Sequence, residues 1–155
     1  MLEEFNDLIS TLCTDSSIVR EVRENRLFFT VDGFIFDSFW YSTDNYRFGT
    51  SERPSHVGAT LRTPSATVAR YELLRLLGGY NRWSHGWQAV ELAADPDSLQ
   101  ASWTIIPGQL SGEQALSMRS CPEVEFTSFD EQRAYQLAHL MQYPCEDGLK
   151  LYLGE

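Results

Sequence analysis

Apolar side chains near the start of the chain fall at Leu2, Phe5, Leu8, Ile9 and Leu12. This three-and-four spacing predicts a helix over residues 2–13. Glu3, Glu4 and Asp7 lie near its N-terminal end, where the helix dipole favours negative charge. From Ile18 to Arg62 the helical period gives way to β-branched and aromatic clusters between turn signals. IVREV, RLFFTV, FIFDSFWY, NYRFGT and HVGATL are predicted strands of an antiparallel meander. Asp32-Gly33 suits a two-residue type I′ turn, and Arg53-Pro54 a second turn.

Helical spacing returns after Pro64, with Ala69, Leu73, Leu76 and Leu77 on one face, Ser65 as N-cap and Gly78-Gly79 as the C-terminal stop. NRWSHGW then reads as a polar, Trp-containing loop, QAVEL as a strand, ADPDSLQ as a loop, ASWTII as a strand and PGQLSGEQ as a loop. Residues 122–127 form a short strand. Asp130 to Met141 form a closing helix capped by Ser128 and stopped by Pro144, and LKLYL is a last strand. Strand runs with helices at the start, middle and end predict an α+β fold. It is mainly an antiparallel twisted sheet with about three helices packed on it. No repeat or low-complexity linker divides residues 1–155, which reads as a single domain.

Composition adds one strong constraint. Twelve Lys+Arg stand against 22 Asp+Glu, a formal charge of −10. That field repels phosphate backbones and anionic lipid heads, so nucleic acid and membrane surfaces are poor partners. A basic protein is a good one, although acidity also serves solubility alone. MLEEFNDLIS has neither the basic region nor the apolar run of a secretory signal, and no apolar stretch reaches the roughly 20 residues of a spanning helix. Cys13, Cys121 and Cys145 are odd in number and far apart, which fits a reduced, cytoplasmic setting.

DSFWYSTDNYRF, residues 37–48, holds five aromatics around Ser42-Thr43-Asp44-Asn45. Strand alternation puts Phe34, Phe36, Ser38 and Trp40 on one side and Ile35, Asp37, Phe39 and Tyr41 on the other. Two readings stand: a central strand covered on both sides, or an open face bearing Tyr41 and Asp37, continued by Tyr46, that binds a partner.

Catalytic patterns are absent from the chain. His56, His85 and His139 lie in no metal-ligand spacing, and a zinc site from His85, Cys121 and Cys145 requires ignoring spacing altogether. There is no nucleophile elbow, and Cys121 in SCPEVEF lacks an activating neighbour pattern. Glu123 and Glu125 share a strand face, as solvated carboxylates do. Gly78-Gly79 follows a helix, whereas phosphate-binding glycines precede one. Arg82, Trp83, His85 and Trp87 either line a ligand pocket or anchor a loop. No cofactor is implied.

In residues 46–78, YRFGTSERP, ATLRTPSATV and RYELLRLLG occur in order, with a closing helix DEQRAYQLAHLM further on. This pattern resembles the immunity factors of the tuberculosis necrotizing toxin type, small antitoxins of bacterial polymorphic-toxin systems, with Arg53 on the family's turn arginine. The resemblance covers about a third of the chain. It implies a non-enzymatic cytoplasmic protein that binds a cognate secreted toxin domain and occludes its active site; the free chain is expected to be a monomer. In the type member the toxin hydrolyses NAD. The acidity of this chain fits a basic toxin domain as partner. Candidate partner-binding residues are Tyr41, Asp44, Asn45, Tyr46 and Arg53 at the hairpin end, with Trp83 and His85 as a second patch. The alternatives are a small-ligand-binding or enzymatic α+β domain with a pocket near Trp83, His85 and Trp87, and an adaptor that binds a host protein through the sheet.

Overall fold

The computed structural model describes residues 2–14, 18–52 and 58–154. A 3-10 turn, Glu3–Phe5, leads into α1, Asn6–Leu12. A meander of β1 (Val19–Arg23), β2 (Arg26–Thr30), β3 (Phe36–Ser42), β4 (Asn45–Ser51) and β5 (Leu61–Thr63) follows. Helix α2, Ala66–Ser84, links it to a second meander of β6 (Trp103–Pro107), β7 (Gln114–Met118) and β8 (Glu125–Ser128). Helices α3, Glu131–Leu140, and α4, Cys145–Leu153, close the chain. The described strands form one antiparallel sheet in the order β1-β2-β3-β4-β5-β8-β7-β6. The expected α+β fold with an antiparallel sheet is therefore observed.

The two meanders join where β8 lies beside β5, with Leu61 opposite Ser128. Residues opposite each other share a face, so the register sorts the side chains. Phe29, Phe39, Tyr46, Phe48, Leu116 and Phe126 project toward the helices and are buried with Phe5, Leu8, Leu73, Leu77 and Leu137. Phe5 meets Phe39 and Tyr46 edge-on, at centroid distances of 5.3 and 5.4 Å. Burying each such ring contributes roughly 1.5–3 kcal/mol.

The opening helix, the first four strands and the Ser65 cap are where sequence spacing puts them. The Ser65 side chain accepts from the Val68 N–H. Several boundaries differ. Asp32-Gly33 is not a two-residue turn. It belongs to a five-residue loop, 31–35, in which the Asp32 carboxylate accepts the N–H groups of Phe34 and Ile35 at 2.8 and 2.9 Å. The two-residue left-handed turns are Glu24-Asn25 and Thr43-Asp44, with φ between 48° and 65° at all four residues. The strand expected over HVGATL is only Leu61–Thr63, and the Arg53-Pro54 turn lies outside the described residues.

Gly78-Gly79 does not stop α2, which continues to Ser84 and ends before Gly86 at φ +68°. Gly78 is instead a crossing point. A Cβ there would stand 2.4 Å from the ring of Tyr152 on α4. NRWSHGW is therefore part helix, and QAVEL has no regular structure. Gln114–Met118 is a strand that the pattern did not mark, and the strand expected over 122–127 is Glu125–Ser128. The cap of α3 is Asp130, which accepts the Arg133 N–H at 3.0 Å, while Ser128 bonds to the Asp130 backbone. LKLYL is helical. Leu149, Tyr152 and Leu153 turn one face of α4 to the core, a three-and-four spacing that short apolar runs share with strands.

A buried ionic knot fixes α2 to α3. Glu72 is wholly buried and receives Arg75 Nη2 at 2.8 Å and Arg133 Nε at 2.7 Å. Burial opposes its ionisation, yet Arg133 and Arg75 outweigh that and hold the carboxyl below its usual range. Nearby, the Tyr80 hydroxyl donates to Asp37, and burial with that carboxylate raises the phenol's pKa.

Candidate partner-binding surface

The sheet face opposite the helices differs from the one expected to be open. Tyr41, Asp37 and Tyr46 belong to the helix-covered side. Tyr46 is 6% exposed, and its hydroxyl donates to Glu4 Oε1 at 2.5 Å. Burial first, then Glu4, raises its pKa to about 12. Tyr41 lies half-buried, 4.9 Å from the Tyr46 ring. Asp37 is engaged by Tyr80 and by Thr50 Oγ1 at 2.9 Å. The central-strand reading of residues 37–41 is the one observed, with Phe39 and Trp40 both buried.

The helix-free side carries the other parity: Arg26, Trp40, Asn45, Arg47, Arg62, Ile106, Glu125 and Thr127. Its β1–β3 portion is closed over. Phe28, Ser38 and Trp40 are buried, and the Arg26 guanidinium stacks 3.6 Å from the Trp40 ring centre. Its β4–β7 portion is concave. A cavity of about 390 Å³ runs between Asn45, Arg62 and Pro64 on one side and Ile106, Gly108 and Gln109 on the other, over Ser117, Glu125 and Thr127. A second, of about 190 Å³, continues past Arg62 to Arg47, Thr60, Leu110 and Phe129. Arg62, Glu113 and Thr127 line both, so the two form one groove.

The groove's floor is set by chemistry within the fold. Arg62 Nη2 donates to both Glu113 oxygens at 3.1 and 3.2 Å, and its Nε to Thr127 Oγ1 at 3.0 Å. Glu113 is 3% exposed and folds back over Gly108, where a Cβ would lie 2.5 Å from the Glu113 carboxyl. A glycine is therefore needed for the β6–β7 loop to curl onto the sheet. The rim is apolar and wet: Ile106, Leu110 and Phe129 are 54%, 55% and 44% exposed. A satisfied charged floor inside an exposed apolar rim is suited to shape recognition by a protein surface. A loop already folded onto the sheet has less freedom to lose on binding.

Of the hairpin-end residues expected to bind a partner, Asn45 lines this groove, and its Nδ2 donates to the Thr43 carbonyl at 3.1 Å. Asp44 is exposed at the adjoining turn. Tyr41 faces a separate hollow with Leu2, Val22 and Arg26, Tyr46 is in the core, and Arg53 lies outside the described residues. Trp83 and His85 stand at the far end of α2. Trp83 is exposed, and His85 stacks on Trp87 at 4.4 Å, with its Nδ1 2.7 Å from the Asn81 carbonyl. These rings cap the helix end and lie on the surface, and none of them lines the hollows described above. Among the described residues no group of three or more His, Cys, Asp or Glu is placed to hold a metal ion, and no helix is long and apolar enough to cross a membrane. The groove residues Arg62, Ile106, Leu110, Glu113 and Phe129 were not among the sequence candidates. Exposed Leu110 within the polar PGQLSGEQ loop was the available signal.

No family model and no curated protein matches the chain. Among solved structures, Rv3902c from M. tuberculosis superposes with a TM-score of 0.77, at 18% identity, over 96% of this chain and 87% of that one. At this identity the likeness is one of fold: the two chains share nearly the whole of this α+β architecture.

Proposed function

We propose that this chain is an immunity protein that binds a cognate secreted toxin domain in the cytoplasm and occludes its substrate cleft. The observation that carries the reading is the groove across β4, β5, β8, β7 and β6, rimmed by exposed Ile106, Leu110 and Phe129. It offers a preformed concave surface to a protruding element of another protein. The sequence resemblance over residues 46–78 supplies the toxin as that protein, and an NAD-hydrolysing toxin as one candidate. The charge of −10 favours a basic toxin domain and speeds the encounter.

The test is to find whether a large secreted protein is encoded directly upstream and to express its C-terminal domain with and without this chain. The reading predicts that such a domain arrests growth when expressed alone and that this chain relieves the arrest. Arrest that persists with the chain present in folded form would overturn the reading.

A further inference from the structure

The sheet's two outer strands are unlike. β1 carries Glu21 and Arg23, paired at 2.5 Å, and charged side chains of this kind discourage a further strand. The other edge, β6, reads Trp-Thr-Ile-Ile-Pro and has no charge. Its hydrogen-bond phase is fixed at both ends. The Arg119 N–H donates to the Ser102 carbonyl at 2.8 Å, and the Gly108 N–H to the Glu113 carbonyl at 2.7 Å. Bonded pairs alternate along an antiparallel ladder. Thr104 and Ile106 therefore bond inward to β7, and the N–H and C=O of Ile105 point away from the sheet. Among the described residues nothing bonds to that outward pair. The Ile106 side chain, on the rim of the groove, stands directly beside it.

We infer that β6 is a strand-addition edge: an extended, cationic segment of the partner pairs with it as a ninth strand and carries neighbouring side chains over Ile106 into the groove. Charge selects this occupant over a second copy of the chain. Two copies at −10 repel across so short an edge, whereas a basic segment is drawn to it. Backbone pairing gives affinity with little sequence demand, and the groove gives selectivity. This inference rests on the immunity reading and deepens it.

The experiment is residue-resolved amide hydrogen exchange on the unaltered chain, free and with a toxin domain whose growth arrest this chain relieves. The Ile105 amide is expected to slow by at least about tenfold in the complex. The Ile106 amide, already paired to β7, is protected in both. A binding measurement with Ile105→Pro, which removes the outward N–H and which an edge strand can accommodate, should show weakening of about tenfold or more, with the melting curve of the free variant confirming that it folds. A complex in which Ile105 exchanges as fast as in the free chain overturns the strand-addition inference and leaves the immunity reading standing. Failure of the two proteins to associate overturns both.

Discussion

Gly78 and Gly79 are neighbours in sequence with opposite roles. A methyl group on Gly78 meets the Tyr152 ring and its Cβ, atoms that cannot swing aside without moving α4. At Gly79 the same methyl group meets nothing within 4 Å. Gly78→Ala is therefore expected to destabilise the protein by about 1–3 kcal/mol. Gly79→Ala should stabilise it by about 0.5–1 kcal/mol through helix propensity. Urea denaturation of the two variants separates these signs. Glu72 provides a second test. Its folded pKa lies below the unfolded value near 4.5, so its ionisation favours the folded state above that pH and the benefit is lost as pH falls through the lower folded value. Glu72→Gln should cost about 3 kcal/mol at neutral pH by leaving Arg75 and Arg133 poorly compensated. It should also flatten the acid limb of a stability-against-pH curve measured by denaturation at each pH.

At the scale of elements, the two tight hairpins turn on non-glycine residues. Thr43 is β-branched and sits at φ 51°, and Asp44 at φ 60°. The left-handed conformation costs an L-residue about 1–2 kcal/mol. Replacing Thr43-Asp44 by Asn-Gly is expected to stabilise the protein by about 1 kcal/mol, readable as a raised melting temperature with an unchanged circular dichroism spectrum. This strain also explains what the sequence concealed. Asp32-Gly33 carries the stronger turn signal, yet its aspartate caps a wider loop, while Glu24-Asn25 and Thr43-Asp44 turn more tightly with weaker signals. Helix α1, strands β1 to β4 and the start of α2 were legible because their apolar spacing is local and unambiguous. The end of α2 was not, because a glycine that admits Tyr152 looks like one that ends a helix. Helix α4 was not, because five residues of LKLYL fit both periods.

At the scale of the molecule, the groove depends on β5 meeting β8, residues more than sixty positions apart, and on Glu113 reaching back to Arg62. Local pattern carries no trace of such pairings, whereas the tyrosines of the opposite face are conspicuous in it. Of the described hairpin-end candidates only Asn45 lines the groove, because strand parity places Arg47 and Asn45 on one side and Tyr46 on the other. The net charge of −10 acts at long range. The association rate with a basic toxin domain is expected to fall as salt rises from about 0.01 to 0.5 M, as the Debye length shortens from about 30 Å to a few ångströms. Stopped-flow mixing at several ionic strengths would read this, and a salt-independent rate would remove charge from the account.

The most direct measurement is a calorimetric titration of the proposed partner, a toxin domain whose growth arrest this chain relieves, with three proteins: the unaltered chain, the groove variant Ile106→Asp/Leu110→Asp, and the helix-end variant Trp83→Ala. Binding through the helix-free groove predicts that the groove variant, still folded, loses at least about 100-fold in affinity by placing two charges in an apolar rim, while Trp83→Ala binds as the unaltered chain does. A groove variant that binds with full affinity would contradict the account.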